Sequence, residues 1–397
     1  MHFLFTGLLG LAAFIWIVQT VEIVRGLPSL PNLGDTAPLD SSKCPSVSIL
    51  VTARDEAAKL PGALATFLAE DYPNFEVVAV DDRSEDATKT IFEAAARANT
   101  RLKCVRVDVL PAGWLGKPHG LQQAYEHSTG EWLVFTDADV SFAPDLLRRS
   151  VALTLQNGWD HLTLLGRAEM YGFFETIAMT FFGFGFIMGT KPWQAHDPKS
   201  RGYMGVGAFQ LVRRRSYEAM GTHRRLRMEV VDDMKLGKLM KESGARSGVA
   251  RAGEAVSVHW HDGVRNMIRG TEKNFFATTG YRWGLTSLQI AGIFLMSVFP
   301  FVALPFERGW ALLFGLIAVG LPVLIHAGAA IEFGVSPLWA VSHPIGALIF
   351  IWMLARSAIV TLWQGGIIWR GTFYPLEELK RGVVGSTAMC VASGPKS

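Results

Sequence analysis

Three stretches near the C-terminus contain no Asp, Glu, Lys or Arg: Trp283 to Phe306, Gly309 to Ile331 and Phe333 to Ala355. Each exceeds the roughly 20 residues an α-helix needs to cross about 30 Å of hydrocarbon. Residues 283–370 are therefore expected to hold three membrane helices, with residues 371–397 as a tail. The N-terminus has the same character. Phe3 to Val18 reads FLFTGLLGLAAFIWIV, and the first formal charge is Glu22. A cleaved leader would carry a basic segment before its apolar core and a small-residue cleavage site after it. Neither stands here, so residues 1–25 are expected to form an uncleaved anchor.

Between these ends the composition changes. Residues 45–282 are polar and punctuated, enough for one large domain. Short β-rich runs alternate with helical ones: VSILVTA and a helix through Phe67, EVVAVDD and a helix through Ala98, KCVRVD and a helix through His127, EWLVFTDAD and PDLLRRSVALTL. Strand alternating with helix predicts an α/β fold with a mainly parallel sheet covered on both faces. A net charge of +3, from 38 basic and 35 acidic residues, argues against nucleic acid as a partner. Cys44, Cys104 and Cys390 lie far apart with no ligand spacing, so neither a disulfide framework nor a zinc site is indicated.

In open α/β sheets ligands bind at the carboxyl ends of the strands. Three of these predicted strands end in acids: ARDE at 53–56, DDRSED at 81–86 and DAD at 137–139. Asp137 and Asp139, one residue apart at a strand end, can reach a single hard cation, and Mg²⁺ or Mn²⁺ favours such oxygen ligands beside substrate phosphates. A lone DxD is a common tripeptide; its place after LVFT is what gives it weight.

Taken in order, these motifs resemble the membrane-bound inverting glycosyltransferases of family 2, with a GT-A nucleotide-binding fold, over most of residues 45–283. The resemblance implies that Glu56 faces the nucleotide. It implies that Asp82 of VDDRSED contacts uracil or ribose with Asp81 beside it, and that Lys117 of GWLGKPHGL lies near the diphosphate. TDAD would supply the metal pair. GVGAFQLVRRRSYEAMG, from Gly205 to Gly221, resembles the segment walling the acceptor side. VVDDMKLG resembles the element whose second acid, here Asp233, is the catalytic base; Asp232 and Asp233 are equally suited to the first turn of a helix, where acids complement its dipole. The Q/RxxRW element of the family stands here as TGYRW, retaining only Arg282 and Trp283 as nucleotide-side residues. That departure argues for transfer of one sugar rather than processive synthesis.

The implied activity moves a sugar from a nucleotide sugar, UDP-linked by family preference, to a membrane lipid hydroxyl, as in ceramide-, hopanoid- or carotenoid-modifying members. It implies a bacterial inner membrane with the catalytic domain cytosolic. Two alternatives stand beside it. LVFTDADVS also approximates the nucleophile strand of haloacid dehalogenase-type phosphatases, with Asp137 as nucleophile and Ser141 where Thr or Val is usual; a nucleotide-sugar sensor without turnover is the other.

Two features bear on topology. Thr176 to Thr190 is charge-free but only 15 residues long; a helix near residues 171–190 is expected to lie in the interface, since a span would put DAD and Asp233 on opposite sides. Arg265, Arg269 and Lys273 are spaced to form a basic stripe on a helix just before the membrane. Three spans after a cytosolic domain would place WRGTFYPLEELKRG outside, against the positive-inside tendency.

Overall fold

The computed structural model describes residues 2–385; of the expected tail, residues 386–397, Cys390 among them, lie outside the described residues. In chain order the elements are α1 (His2–Gly26), β1 (Val47–Ala53), α2 (Leu60–Leu68), β2 (Phe75–Asp82), α3 (Thr88–Ala98), β3 (Leu102–Val107), α4 (Gly116–Glu126), β4 (Trp132–Asp137) and β5 (Val140–Phe142). There follow α5 (Leu146–Asn157), β6 (His161–Ala168), α6 (Phe173–Thr190), β7 (Gln210–Arg213), α7 (Arg214–Ala219), α8 (Asp232–Glu242) and β8 (Ser247–Val258). The last third comprises α9 (Gly263–Gly270), α10 (Phe275–Thr278), α11 (Trp283–Ser297), α12 (Phe299–Ala303), α13 (Gly309–Glu332), α14 (His343–Gln364), β9 (Gly366–Trp369), β10 (Thr372–Pro375) and α15 (Leu376–Gly382).

Packing divides the chain into two compact units that cut across its linear order. One gathers residues up to Ser29, Ala168–Lys191 and Trp260–Ile367; the other holds Leu30–Arg167, Pro192–His259 and the chain from Ile368 onward. The second unit is built on an eight-stranded sheet in the order β3-β2-β1-β4-β7-β6-β8-β5. β3, β2, β1 and β4 run parallel, whereas β7 joins β4, β6 joins β7 and β5 joins β8 antiparallel. Among them β1, β2 and β4 are buried on both faces and accordingly read as near-continuous apolar runs, whereas β3 is the edge strand. Their side chains alternate between two cores. Ile49, Val51, Val77 and Val134 join Leu64 and Phe67 of α2 and Phe92 of α3 on one face. Leu50, Val78, Leu133 and Phe135 meet Leu121 of α4, Tyr217 of α7 and Leu236 of α8 on the other.

Register brings the polar strand ends level. Ala53 pairs with Asp81, and Thr52 pairs with Asp137, so the acids that follow the apolar runs emerge along one edge.

The other unit is helical, and its long helices are mostly apolar. Among the described residues five helices, including Phe173–Ala195, are long and apolar enough to cross a membrane by length and composition. α6 starts three residues before the charge-free stretch and includes Glu175, whose carboxylate accepts from Gly263 N at 3.1 Å. Along α1, Phe5 packs on Phe299 with ring centroids 5.8 Å apart, and Leu9 joins Ala303 and Ala311. Further along, Trp16 donates to Met296 O at 3.0 Å, and Glu22 pairs with Lys191 at the end of α6. The basic stripe is interrupted: α9 ends at Gly270, leaving Lys273 in the following turn.

Candidate active site

The end of β4 and the start of α4 define the centre. Lys117, in the first turn of α4, places Nζ 2.6 Å from Asp137 Oδ1 and 3.9 Å from Asp232 Oδ1. Burial works against its charge, but Asp137, Asp232 and Asp233 together outweigh that effect and hold the ammonium well above the ordinary lysine range. The lysine is therefore a fixed positive charge at neutral pH.

Asp232 and Asp233 open α8, the position expected of acids that complement a helix dipole. Asp233 does more than that. One carboxylate oxygen accepts from Gly207 N at 3.0 Å, the other from Met234 N at 2.7 Å, and its backbone carbonyl accepts from Gln210 Nε2 at 3.3 Å. Gly207 stands between the two acids: a Cβ there would lie 2.6 Å from Asp137 Oδ2 and 3.4 Å from Asp233 Oδ2. A Cβ on Gly205 would collide with the Asp233 carbonyl. The segment from Gly205, expected as an acceptor wall, thus also cradles Asp233, and its glycines are what permit the approach. Lys117, Asp137, Gly207, Asp232 and Asp233 line one open cleft. His223 closes its floor, hydrogen-bonded to Tyr217 at 2.6 Å and kept neutral, with a pKa near 3, by burial and then by Lys117.

A second cluster lies along the edge. Asp139 is four-fifths covered at its side chain and sits 3.5 Å from Lys59 Nζ. Burial first, and then repulsion from Asp137, pushes its carboxyl above the ordinary range against the pull of Lys59. Glu56 is raised too, by burial and by Asp139, while Arg370 of the distant C-terminal ribbon pairs with it and opposes the rise. Asp81 is fully buried, paired with Arg106, and accepts from Ser84 N at 3.2 Å. Asp82 is held bidentately by Arg83 at 2.8 and 3.0 Å, and a Cβ on Gly116 would collide with it.

The centre and edge thus gather Glu56, Asp81, Asp82, Lys117, Asp137, Asp139 and Asp233 in one unit. Arg282 and Trp283 belong to the helical unit; Arg282 caps α11 and donates to Thr279 O at 3.3 Å, and Trp283 is half exposed. Sequence reasoning missed Gly207, Gln210, Lys59, Arg83 and Arg370. Lys59 lies three residues beyond the ARDE at 53–56 and could have been weighed; Arg370 carries no local signal.

Among the described residues no group of three or more His, Cys, Asp or Glu side chains is arranged to ligate a metal. The protein can offer a cation the carboxylates of Asp137 and Asp139, which is the donor set Mg²⁺ or Mn²⁺ takes when substrate phosphates complete the shell. The residues present fit such an ion.

Residues 48–221 match the family described as glycosyl transferase family 2. The chain is 22% identical over 355 residues to the 4,4'-diaponeurosporenoate glycosyltransferase of Staphylococcus aureus strain bovine RF122 / ET3-1, spanning 84% of this chain and 89% of that protein. It is 21% identical to the same enzyme of strain MRSA252 over equal shares. Mannosyltransferase PcManGT from Pyrobaculum calidifontis, solved in complex with GDP-Man and Mn²⁺, shares the fold with a TM-score of 0.57 at 21% identity, over 92% of this chain and 99% of that one. Residues 48–221 thus match glycosyltransferase family 2, and the chain shares the GT-A fold. These matches support nucleotide-sugar-dependent glycosyl transfer and lend no support to the phosphatase alternative for Asp137.

Proposed function

We propose that the protein transfers one sugar from a nucleotide sugar, UDP-linked, to a hydroxyl of a membrane lipid with inversion at the anomeric carbon. The observation that carries this reading is Gly207, whose missing side chain lets Asp233 and the diphosphate-side Asp137 face one cleft. A base and a leaving-group seat so close fit direct displacement in one step. Asp233 takes the acceptor proton; its orientation is fixed by the Gly207 and Met234 amides. Lys117, kept charged, faces the departing diphosphate. A divalent cation held by Asp137 and Asp139 would neutralise charge developing on that leaving group. The apolar helices and the carotenoid-modifying relatives support a lipid acceptor.

In this reading α1, α11 with α12, and α13 cross the membrane, while α6 and α14 lie along its cytosolic face. Several contacts support it. α12 and the start of α13 meet the N-terminal end of α1, whereas Lys191 of α6 meets Glu22 near its other end. α14 begins against Phe184 of α6, with His343 5.0 Å away, and near its end Ser357 Oγ accepts from Phe276 N of α10 at 2.9 Å. Phe275 of α10 in turn packs on Phe182 of α6 at 6.2 Å, so both ends of α14 stay beside one layer. Two C-terminal crossings return residues 368–385 to the catalytic side, in keeping with their packing in the catalytic unit and with the positive-inside tendency. Incubation of the purified protein with a panel of nucleotide sugars and membrane lipids, read by product mass and proton NMR, tests the whole: one added sugar with inverted configuration is expected, and a ladder of masses or retained configuration refutes it.

A further inference from the structure

β9 and β10 are joined by a two-residue turn in which Arg370 has φ +48° and Gly371 φ +74°. Positive φ at both central positions is the type I′ hairpin turn, which favours Asn-Gly; an arginine there is held in the left-handed region at a cost. The ribbon belongs from Ile368 onward to the catalytic unit and reaches several points of the substrate edge. Arg370 pairs with Glu56, Arg54 Nη1 donates to Thr372 Oγ1 at 3.1 Å, and the Tyr374 hydroxyl accepts from Gly116 N at 3.3 Å, next to Lys117.

An ion pair with Arg370 nearly half exposed contributes little to stability, so pairing with Glu56 does not by itself explain a strained arginine. The surroundings do. Arg370 meets Glu56 at the tip of the ribbon while Tyr374 of the same ribbon meets Gly116, the residue before Lys117, so the ribbon runs from the carboxylate edge to the lysine. A planar guanidinium holds phosphate oxygens bidentately. We propose that Arg370 is a donor-binding residue: on arrival of the nucleotide sugar its guanidinium leaves Glu56 for the diphosphate, so that the C-terminal ribbon completes the nucleotide site opposite Lys117. The proposal rests on the glycosyl-transfer reading above.

Arg370→Asn tests it without endangering the ribbon, since Asn-Gly is the sequence this turn prefers. Binding of UDP and of GDP to the full chain in detergent with Mn²⁺ is measured by calorimetry, and of uridine and guanosine by competition. The variant should bind the preferred diphosphate about tenfold or more weakly, bind its nucleoside unchanged, and melt no lower than the wild type. Unchanged diphosphate affinity overturns the proposal. So does an equal loss of nucleoside and diphosphate binding, which would make the ribbon a wall rather than a phosphate contact. A wild-type protein that binds neither UDP nor GDP removes the donor reading itself, and this inference with it.

Discussion

The centre and the edge of the cleft balance charge differently. At the centre one cation, Lys117, faces three carboxylates, Asp137, Asp232 and Asp233. At the edge Glu56 and Asp139 are matched by Lys59 and by Arg370, 314 positions along the chain from its partner. The centre is left net negative, as suits a cation and a base; the edge is neutralised by Lys59 and by a side chain at a ribbon tip. One cluster is poised to receive charge and the other to release it.

The largest effect expected at the centre is on turnover. Asp233→Asn removes the proton acceptor with little change of volume, so turnover should fall about 10²-fold or more while donor affinity stays near wild type. The single oxygen of Asn can keep one of the two amide contacts of Asp233 and its NH₂ cannot accept the other, so circular dichroism and thermal unfolding are the controls that separate lost chemistry from lost folding. Damage from Asp232→Asn with a silent Asp233→Asn would exchange the two roles.

Lys117→Met probes the same cluster through stability. It removes the cation that three carboxylates share, and breaking such a pair costs about 3 kcal/mol. The lysine's folded-state value is raised above its unfolded one, so its contribution is fully present below the ordinary lysine range and lost only at more alkaline pH. Thermal unfolding at neutral pH should therefore register the full loss; an unchanged midpoint would show that the carboxylates find other compensation.

Gly207→Ala comes next. Its Cβ would press on Asp137 Oδ2 at 2.6 Å while meeting Asp233 Oδ2 at ordinary contact distance, so the two acids must part by a fraction of an ångström. A misplacement of that size should cost about tenfold in kcat or more. The backbone of Gly207 is not in the left-handed region, so the effect isolates side-chain volume. Wild-type rates would mean that the proximity of the two acids is not used.

Much of the centre was legible because its residues follow their strands and helices directly. Register alone brings Asp137 level with Thr52 and Asp81 level with Ala53, and the alternation of apolar runs with helices announced that sheet. The antiparallel half was not legible: β5 is three residues long, and β7 reaches its place only after α6 has left the sheet and returned. The edge escaped for a different reason. Nothing in WRGTFYP links Arg370 to Glu56; that pairing exists only because residues from Ile368 onward pack in the catalytic unit. Contacts set by chain return carry no local period and no spacing rule.

The smallest effect should have the opposite sign to that of Lys117→Met. Asp139 is held above its unfolded value by burial and by Asp137, so the folded chain binds its proton more tightly than the unfolded chain does. Stability from this group is therefore greatest in acid and falls as pH rises from the ordinary aspartate value of 3.8 through its raised folded value. At neutral pH its ionised form is a cost. Asp139→Asn should then raise the stability of the ligand-free protein by a modest amount, about 1 kcal/mol or less, and remove this group's share of the acid-to-neutral decline. The same variant should weaken Mn²⁺-dependent binding of UDP or GDP, because the carboxylate that strains the free protein is one that a cation would use. Thermal unfolding across pH, with and without nucleotide and Mn²⁺, separates the two consequences. A variant less stable than wild type at neutral pH would show that the edge does not store repulsion, and the contrast with the centre would fall.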